Sequence, residues 1–227
     1  MDIAILGTGL MGGALAQRLA ATSNRVVLYN RTRAKALPLA GPNITVADSP
    51  AGALAHASHV LLTLSDWQAI EAVLLTAETR AALPGCTVIQ MGTILPAQSA
   101  ALAAELGSVG ADYLEAPVLG STSEARDGRL IVMVGGTQRQ FVQNRPLLER
   151  FGPEPALVGA VGQAAALKLA FNQLIAALTT GFAFSLGLVR SRGIDVEVHA
   201  PVADKCALCP HLRQETRAHD RAKLFES

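Results

Sequence analysis

Over the first 160 residues, short and almost wholly apolar runs alternate with longer Ala- and Leu-rich segments. The runs at Ile3–Leu6, Val26–Tyr29, His59–Leu64, Thr87–Met91, Asp112–Leu114, Leu130–Val134 and Ala156–Val158 have strand length and are bounded by Gly, Pro, Asn or Asp. Between most of them, segments such as Gly13–Ala21, Trp67–Leu75 and Pro96–Gly107 repeat their apolar residues at helical spacing. A strand without a polar face has to be covered on both sides, and helices that alternate with such strands supply the cover. The pattern predicts an α/β domain over residues 1–160, built on a doubly wound parallel sheet.

From Gln163 to Arg192 the alternation stops, and the spacing predicts one long helix. Leu169 to Val189 is 21 residues without a charge, which meets the crude length criterion for crossing a membrane. Asn172, Gln173, Thr179, Thr180 and Ser185 interrupt that stretch, and no aromatic belt flanks it. A helix that is apolar all round also suits the interior of a larger protein or dimer. The expectation is a helix buried against further protein, with no membrane.

Composition narrows the classes. Half of the 227 residues are hydrophobic and 16% are charged, below the roughly 25% of an ordinary globular chain, which excludes disorder. Nineteen basic against 18 acidic residues give a net charge of +1, so no charge excess recruits nucleic acid. Three cysteines, Cys86, Cys206 and Cys209, are too few for a disulfide framework and suit a reducing compartment. The opening Met-Asp-Ile-Ala-Ile-Leu-Gly reads as a strand and not as a basic leader, so the expected location is cytoplasmic.

Gly7-Thr8-Gly9-Leu10-Met11-Gly12 follows the first strand and opens the first helix, the setting that a G-x-G-x-x-G pattern requires. Gly7 permits the tight turn, Gly9 lets the backbone approach a pyrophosphate, and Gly12 lets helix and strand pack closely. Free N–H groups at the helix start then meet the phosphate charge. These residues form the expected cradle of a Rossmann-type dinucleotide domain. An NAD binder usually carries an acid after the second strand, bonding the ribose 2′-hydroxyl. Here the chain reads Asn30-Arg31-Thr32-Arg33. Arg31 can pair with a 2′-phosphate through two parallel N–H bonds and stack on adenine; it also reads as a solvated loop arginine. NADP(H) is the expected coenzyme, in preference to NAD(H).

Further segments make the chain resemble the β-hydroxyacid dehydrogenase family, which includes 3-hydroxyisobutyrate dehydrogenases, tartronate semialdehyde reductases and glyoxylate/succinic semialdehyde reductases. The glycine turn with Asn30-Arg31-Thr32 matches the family's coenzyme-binding start. Met91-Gly92-Thr93-Ile94-Leu95-Pro96, followed by Ser99, matches a later loop. Glu115-Ala116-Pro117-Val118-Leu119-Gly120-Ser121 is similar to the substrate-binding segment, closed by Asp127-Gly128-Arg129-Leu130. Gly159-Ala160-Val161-Gly162-Gln163 leads into Lys168 and Asn172, spaced like the family's catalytic K-x-x-x-N. The resemblance runs from Met1 to about Glu197.

That resemblance implies an NADP(H)-dependent oxidoreductase moving a hydride between nicotinamide and a small carboxylated aldehyde or its hydroxy acid, of the glyoxylate, succinic semialdehyde or 3-hydroxyisobutyrate type. It places Leu64, Ser65 and Thr93 against the coenzyme, with Thr93 at the nicotinamide ribose. It places Pro117, Val118, Leu119, Gly120, Ser121 and Thr122 around the substrate. It also implies a homo-oligomer and an all-α second domain, whose first helix would occupy residues 161–197.

Reducing an aldehyde takes a hydride at carbon and a proton at oxygen; the nicotinamide supplies the first and the protein the second. Lys168 sits among Ala164, Ala165, Ala166, Leu167 and Leu169, where desolvation lowers an ammonium pKa toward a useful value. Asn172, at i+4, shares its helix face and can hold the substrate oxygen or carboxylate. On its residues alone Lys168 also reads as a lysine laid along apolar surface; the resemblance assigns it to catalysis. Many family members carry Ser-Gly-Gly after Pro-Val, whereas Leu119-Gly120-Ser121 stands here. Leu119 has no side-chain donor, so Ser121, Thr122 or main-chain amides are left to bind the carboxylate. A site lacking one polar group can lose much of its rate, and a catalytically impaired dinucleotide-binding module is the alternative reading.

The last 29 residues, His199 to Ser227, hold three of the five histidines and two of the three cysteines, and their apolar periodicity is lost. Cys206, Cys209, His211 and His219 lack a second ligand pair at zinc spacing, so no metal is expected. With an allowed choice of codons, reading the message one nucleotide later from Val198 spells a helical continuation of the family's kind. The expectation is a frameshifted and shortened chain, aberrant over 198–227, whose long helix exposes apolar surface and self-associates.

Overall fold

The apolar runs assemble into one sheet in the computed structural model, which describes residues 2–22, 24–55 and 57–195. Its strands are β1 (Asp2–Leu6), β2 (Arg25–Tyr29), β3 (Ile44–Val46), β4 (His59–Leu62), β5 (Thr87–Gln90), β6 (Asp112–Glu115), β7 (Val118–Leu119), β8 (Ile131–Gly135) and β9 (Ala156–Gly159). Its helices are α1 (Leu10–Ala21), α2 (Arg33–Ala36), α3 (Pro50–Leu54), α4 (Trp67–Leu74), α5 (Ala77–Ala81), α6 (Pro96–Ser108), α7 (Thr122–Asp127), α8 (Gln138–Leu148) and α9 (Gln163–Ser191), with a 3-10 helix at Leu37–Leu39.

The first six strands lie parallel in the order β3-β2-β1-β4-β5-β6. Chain order reverses between β1 and β4, which opens a crevice at the carboxyl ends of those two strands. The expected doubly wound Rossmann-type sheet is therefore present. Beyond β6 the direction changes. β8 joins β6 antiparallel through the pair Glu115↔Gly135, β7 runs antiparallel to β8, and β9 parallel to it. Between β6 and β8 the chain holds β7 and the six-residue α7, a helix too short to carry it back along a strand for a parallel return.

Both faces of the sheet are dry at its central strands β1, β4, β5 and β6, which is why those strands read as apolar runs. Ile3 and Ile5 of β1 point into one core with Leu28, Leu61, Ile89, Leu114 and Val134, beneath α1, α7 and α8. Ala4 and Leu6 point into the other with Val60, Leu62 and Val88, beneath α3, α4 and α6. Ser99 and Tyr113, buried on that second side, satisfy each other across 2.6 Å.

The chain divides into two units, Met1–Ala170 and Phe171–Ser227. Among the described residues, α9 is the one helix long and apolar enough to cross a membrane, a test that the core helix of a soluble protein also passes. Leu174, Ile175, Phe184 and Leu188 on it are exposed. The expectations for 198–227, including the Cys206, Cys209, His211 and His219 grouping and the change of reading frame, lie outside the described residues.

Candidate active site

The glycine turn is crowded at the back and open at the front. Gly7 follows β1 with φ at +103°, and its N–H donates to the Tyr29 carbonyl at 2.9 Å. A Cβ on Gly12 would collide with the Gly7 carbonyl and the Thr63 hydroxyl, which donates to that same carbonyl at 2.7 Å. Gly9 is different: nothing lies within 4 Å of where its Cβ would be. It precedes α1 without offering a side-chain cap, and the first turn of α1 carries no acid. Thr8 Oγ1 is buried there without a hydrogen-bond partner. Uncapped N–H groups, open space and an orphaned hydroxyl fit a pyrophosphate.

At the end of β2, Asn30 works on both neighbouring loops. Its Oδ1 accepts from the Thr8 N–H at 3.1 Å, and its Nδ2 donates to the Thr32 carbonyl at 2.8 Å. Asn30 thus ties the glycine turn to the loop that carries Arg31. Arg31 and Thr32 are exposed. Among the described residues Arg31 forms no ion pair, whereas Arg33 meets Asp48 at 2.8 Å. Ser65 donates to Asp66 at 2.7 Å, and Asp66 caps α4 by accepting the Ala69 N–H at 2.8 Å. The Ser65 hydroxyl, the Ala69 amide and the nearby Arg31 charge hold the Asp66 carboxyl below its usual range.

The next loop lies alongside. The N–H groups of Met91 and Gly92 both donate to the Leu62 carbonyl, at 3.0 and 3.1 Å, and a Cβ on Gly92 would lie 2.9 Å from the Leu64 carbonyl, so the segment carrying Thr93 runs beside Leu64. Thr93 is exposed there and Leu64 half-buried. Gly162 packs over Pro96, 3.6 Å from the Pro96 carbonyl to its would-be Cβ, so the start of α9 closes on the same edge. Lys168 is half-buried one turn into α9, and burial lowers its pKa from the ordinary lysine value. Asn172 follows one turn later, also half-buried.

The segment expected at the substrate is largely spoken for. Pro117 and Val118 are buried, Val118 opposite Val132 and Leu119 opposite Ile131 in the β7–β8 ladder. Gly120 and Ser121 are exposed and Thr122 is half-buried. The Ser121 N–H and hydroxyl both donate to Glu124 Oε2, at 2.8 and 2.5 Å, capping α7 and pulling the Glu124 carboxyl down to about 2. Sequence reasoning missed Thr63 and the bracing bonds of Asn30, and it read Glu115 only as the head of the substrate segment, whereas its carboxylate accepts the Ala164 N–H at 3.2 Å.

Residues 2–162 match a protein family described as the NAD binding domain of 6-phosphogluconate dehydrogenase. The chain is 29% identical over 212 residues to the chloroplastic glyoxylate/succinic semialdehyde reductase 2 of Arabidopsis thaliana, covering 92% of this chain and 59% of that protein. It is 32% identical over 183 residues to the 2-hydroxy-3-oxopropionate reductase of Escherichia coli K12, covering 78% of this chain and 61% of that protein. A solved 3-hydroxyisobutyrate dehydrogenase of Mycobacterium tuberculosis, with L-serine, superposes at a TM-score of 0.77 and 26% identity, covering 91% of this chain and 70% of that one. The resemblance to β-hydroxyacid dehydrogenases is borne out. The chain spans about three fifths of the length of the two curated relatives, 59% and 61%.

Proposed function

This chain belongs to the family of the NAD binding domain of 6-phosphogluconate dehydrogenase, and from that premise we propose an NADP(H)-dependent reductase of small carboxylated aldehydes. A nicotinamide dinucleotide as coenzyme follows from the family; the 2′-phosphate, the substrate and the turnover are the proposal. One observation carries it. The phosphate-ready turn at Gly7–Gly12, the Leu64 and Thr93 loops, and the helix bearing a half-buried Lys168 all meet along one edge of the sheet.

The coenzyme, when bound, supplies the hydride. The start of α1 holds its pyrophosphate, and Arg31 takes the 2′-phosphate that a carboxylate at this place would repel. Lys168 Nζ gives its proton to the substrate oxygen, and Asn172 orients that oxygen. The main-chain N–H groups of Gly120 and Thr122 receive the substrate carboxylate, because Leu119 has no side-chain donor and Glu124 engages both the N–H and the hydroxyl of Ser121. The exposed apolar residues of α9 support a homo-oligomer as part of the same proposal.

Consumption of NADPH with glyoxylate or succinic semialdehyde tests the reading directly; coenzyme binding without turnover of any semialdehyde favours an impaired binding module, to which the missing donor at Leu119 points. Arg31→Ala is expected to weaken NADPH by roughly 10–100-fold, the loss of a charge-assisted pair. NADH affinity should stay as it was, and an equal loss of both in calorimetry would remove Arg31 from the 2′-phosphate. The pH dependence has a definite sign. Reduction needs Lys168 protonated, and burial lowers its pKa from 10.5. The rate should therefore fall as pH rises through that lowered value, while hydroxy-acid oxidation rises over the same range.

A further inference from the structure

Glu115 ends β6 and is 1% exposed, yet among the described residues no lysine, arginine or histidine pairs with it. Its Oε2 accepts instead from the backbone N–H groups of Ala164, at 3.2 Å, and Ala165, at 3.4 Å, in the first turn of α9. Its register neighbour on β8, Gly135, leaves the room: a Cβ there would collide with Oε2. Its register neighbour on β5, Gln90, is equally buried, and neither end of that amide nor Glu115 Oε1 has a protein partner. A buried carboxylate is costly unless charge or hydrogen bonds compensate it. Two N–H groups and the positive end of a 29-residue helix supply the compensation. An apolar side chain at this place would spare the desolvation cost altogether, so packing alone does not account for an acid. What the acid does is grip α9 at one point, and Lys168 lies four and three residues beyond the two gripped amides.

We propose that Glu115 is a positioning residue, clamping the first turn of α9 to the carboxyl edge of the sheet and so fixing the place from which Lys168 delivers its proton. This rests on Lys168 being the proton donor. Glu115 acts through the helix backbone, since no ion pair joins the two side chains among the described residues. Small displacements of a reacting group cost rate steeply, whereas the dinucleotide turn lies on other elements and is untouched.

The test compares the full chain with Glu115→Ala and Glu115→Gln in three measurements: kcat, NADPH affinity, and the rate at which acetic anhydride modifies Lys168 relative to the exposed Lys35, read by mass spectrometry. Glu115→Ala should lower kcat about tenfold or more and change the Lys168 labelling ratio at least about threefold, with NADPH affinity within about twofold. Glu115→Gln keeps an acceptor for the two amides and should recover most of both. Unchanged kcat and labelling in Glu115→Ala overturn the proposal, and so does loss of coenzyme binding in step with kcat. If Glu115→Ala does not fold, Glu115→Asp takes its place, one methylene too short to reach. Faster deuterium exchange at Ala164 and Ala165, with α1 unchanged, supports the clamp; parent-like exchange with parent-like labelling overturns it. A parent chain that turns over no aldehyde defeats the reductase reading separately, because labelling and exchange still decide whether Glu115 fixes Lys168.

Discussion

Replacing Lys168 by alanine is expected to lower turnover of a semialdehyde by about 10²–10⁴-fold, the usual contribution of a placed general acid. Coenzyme affinity should stay within about twofold, so the loss falls on kcat and not on binding. The fold has no stake in the charge: Lys168 forms no ion pair among the described residues, and its burial already works against the ammonium form. Arginine is no substitute, because its guanidinium stays protonated and its fork has a different shape. Glu115→Gln should keep the alkaline fall in reduction rate, and Lys168→Ala should abolish it. Steady-state kinetics with paired calorimetry decide the matter. A variant with parental kcat, or one that no longer binds NADPH, would take proton donation away from Lys168.

Gly12→Ala carries the second large effect, on binding and stability together. Its new methyl group would run into the Gly7 carbonyl and the Thr63 hydroxyl. Neither can retreat easily, since Gly7 is held through its N–H to Tyr29 and Thr63 through its N–H to Leu6. Helix α1 must lift from β1, at an overpacking cost of about 1–3 kcal/mol. Its free N–H groups move with it, so coenzyme affinity should drop by about 100-fold or more. Gly9→Ala is the informative companion. Its methyl group would enter open space, so thermal unfolding should match the parent while coenzyme binding still weakens. If Gly12→Ala melts and binds as the parent does, the close approach of helix and strand is not what this glycine serves.

The sheet was legible because its central strands are dry on both faces. Ile3 and Ile5 enter one core while Ala4 and Leu6 enter the other, so β1 shows no polar alternation to disguise it. The three residues of β3 and two of β7 are too few to show a period, and the reversal at β8 depends on the length of α7. Within the candidate site, the glycine turn announced itself because its steric demands are local. Asn30 was read as a coenzyme contact, but its bond to Thr8 spans 22 residues and leaves no periodic trace. Glu115 hid for another reason: it was read as the head of the substrate segment, and its bonds to Ala164 and Ala165 span 49 and 50 residues. Ser121 and Glu124 do have the spacing of a capping box, a signal that the likeness to a substrate loop overshadowed.

The two bonds of Asn30 make a single latch of the two proposed grips on the coenzyme, the glycine turn and the Arg31 loop. Seating a phosphate at the glycine turn steadies Thr8, and through it the main chain beside Arg31. Coenzyme fragments bearing only one of the two phosphate positions should therefore bind more weakly than independent contributions would suggest, and cutting the latch with Asn30→Ala should restore additivity.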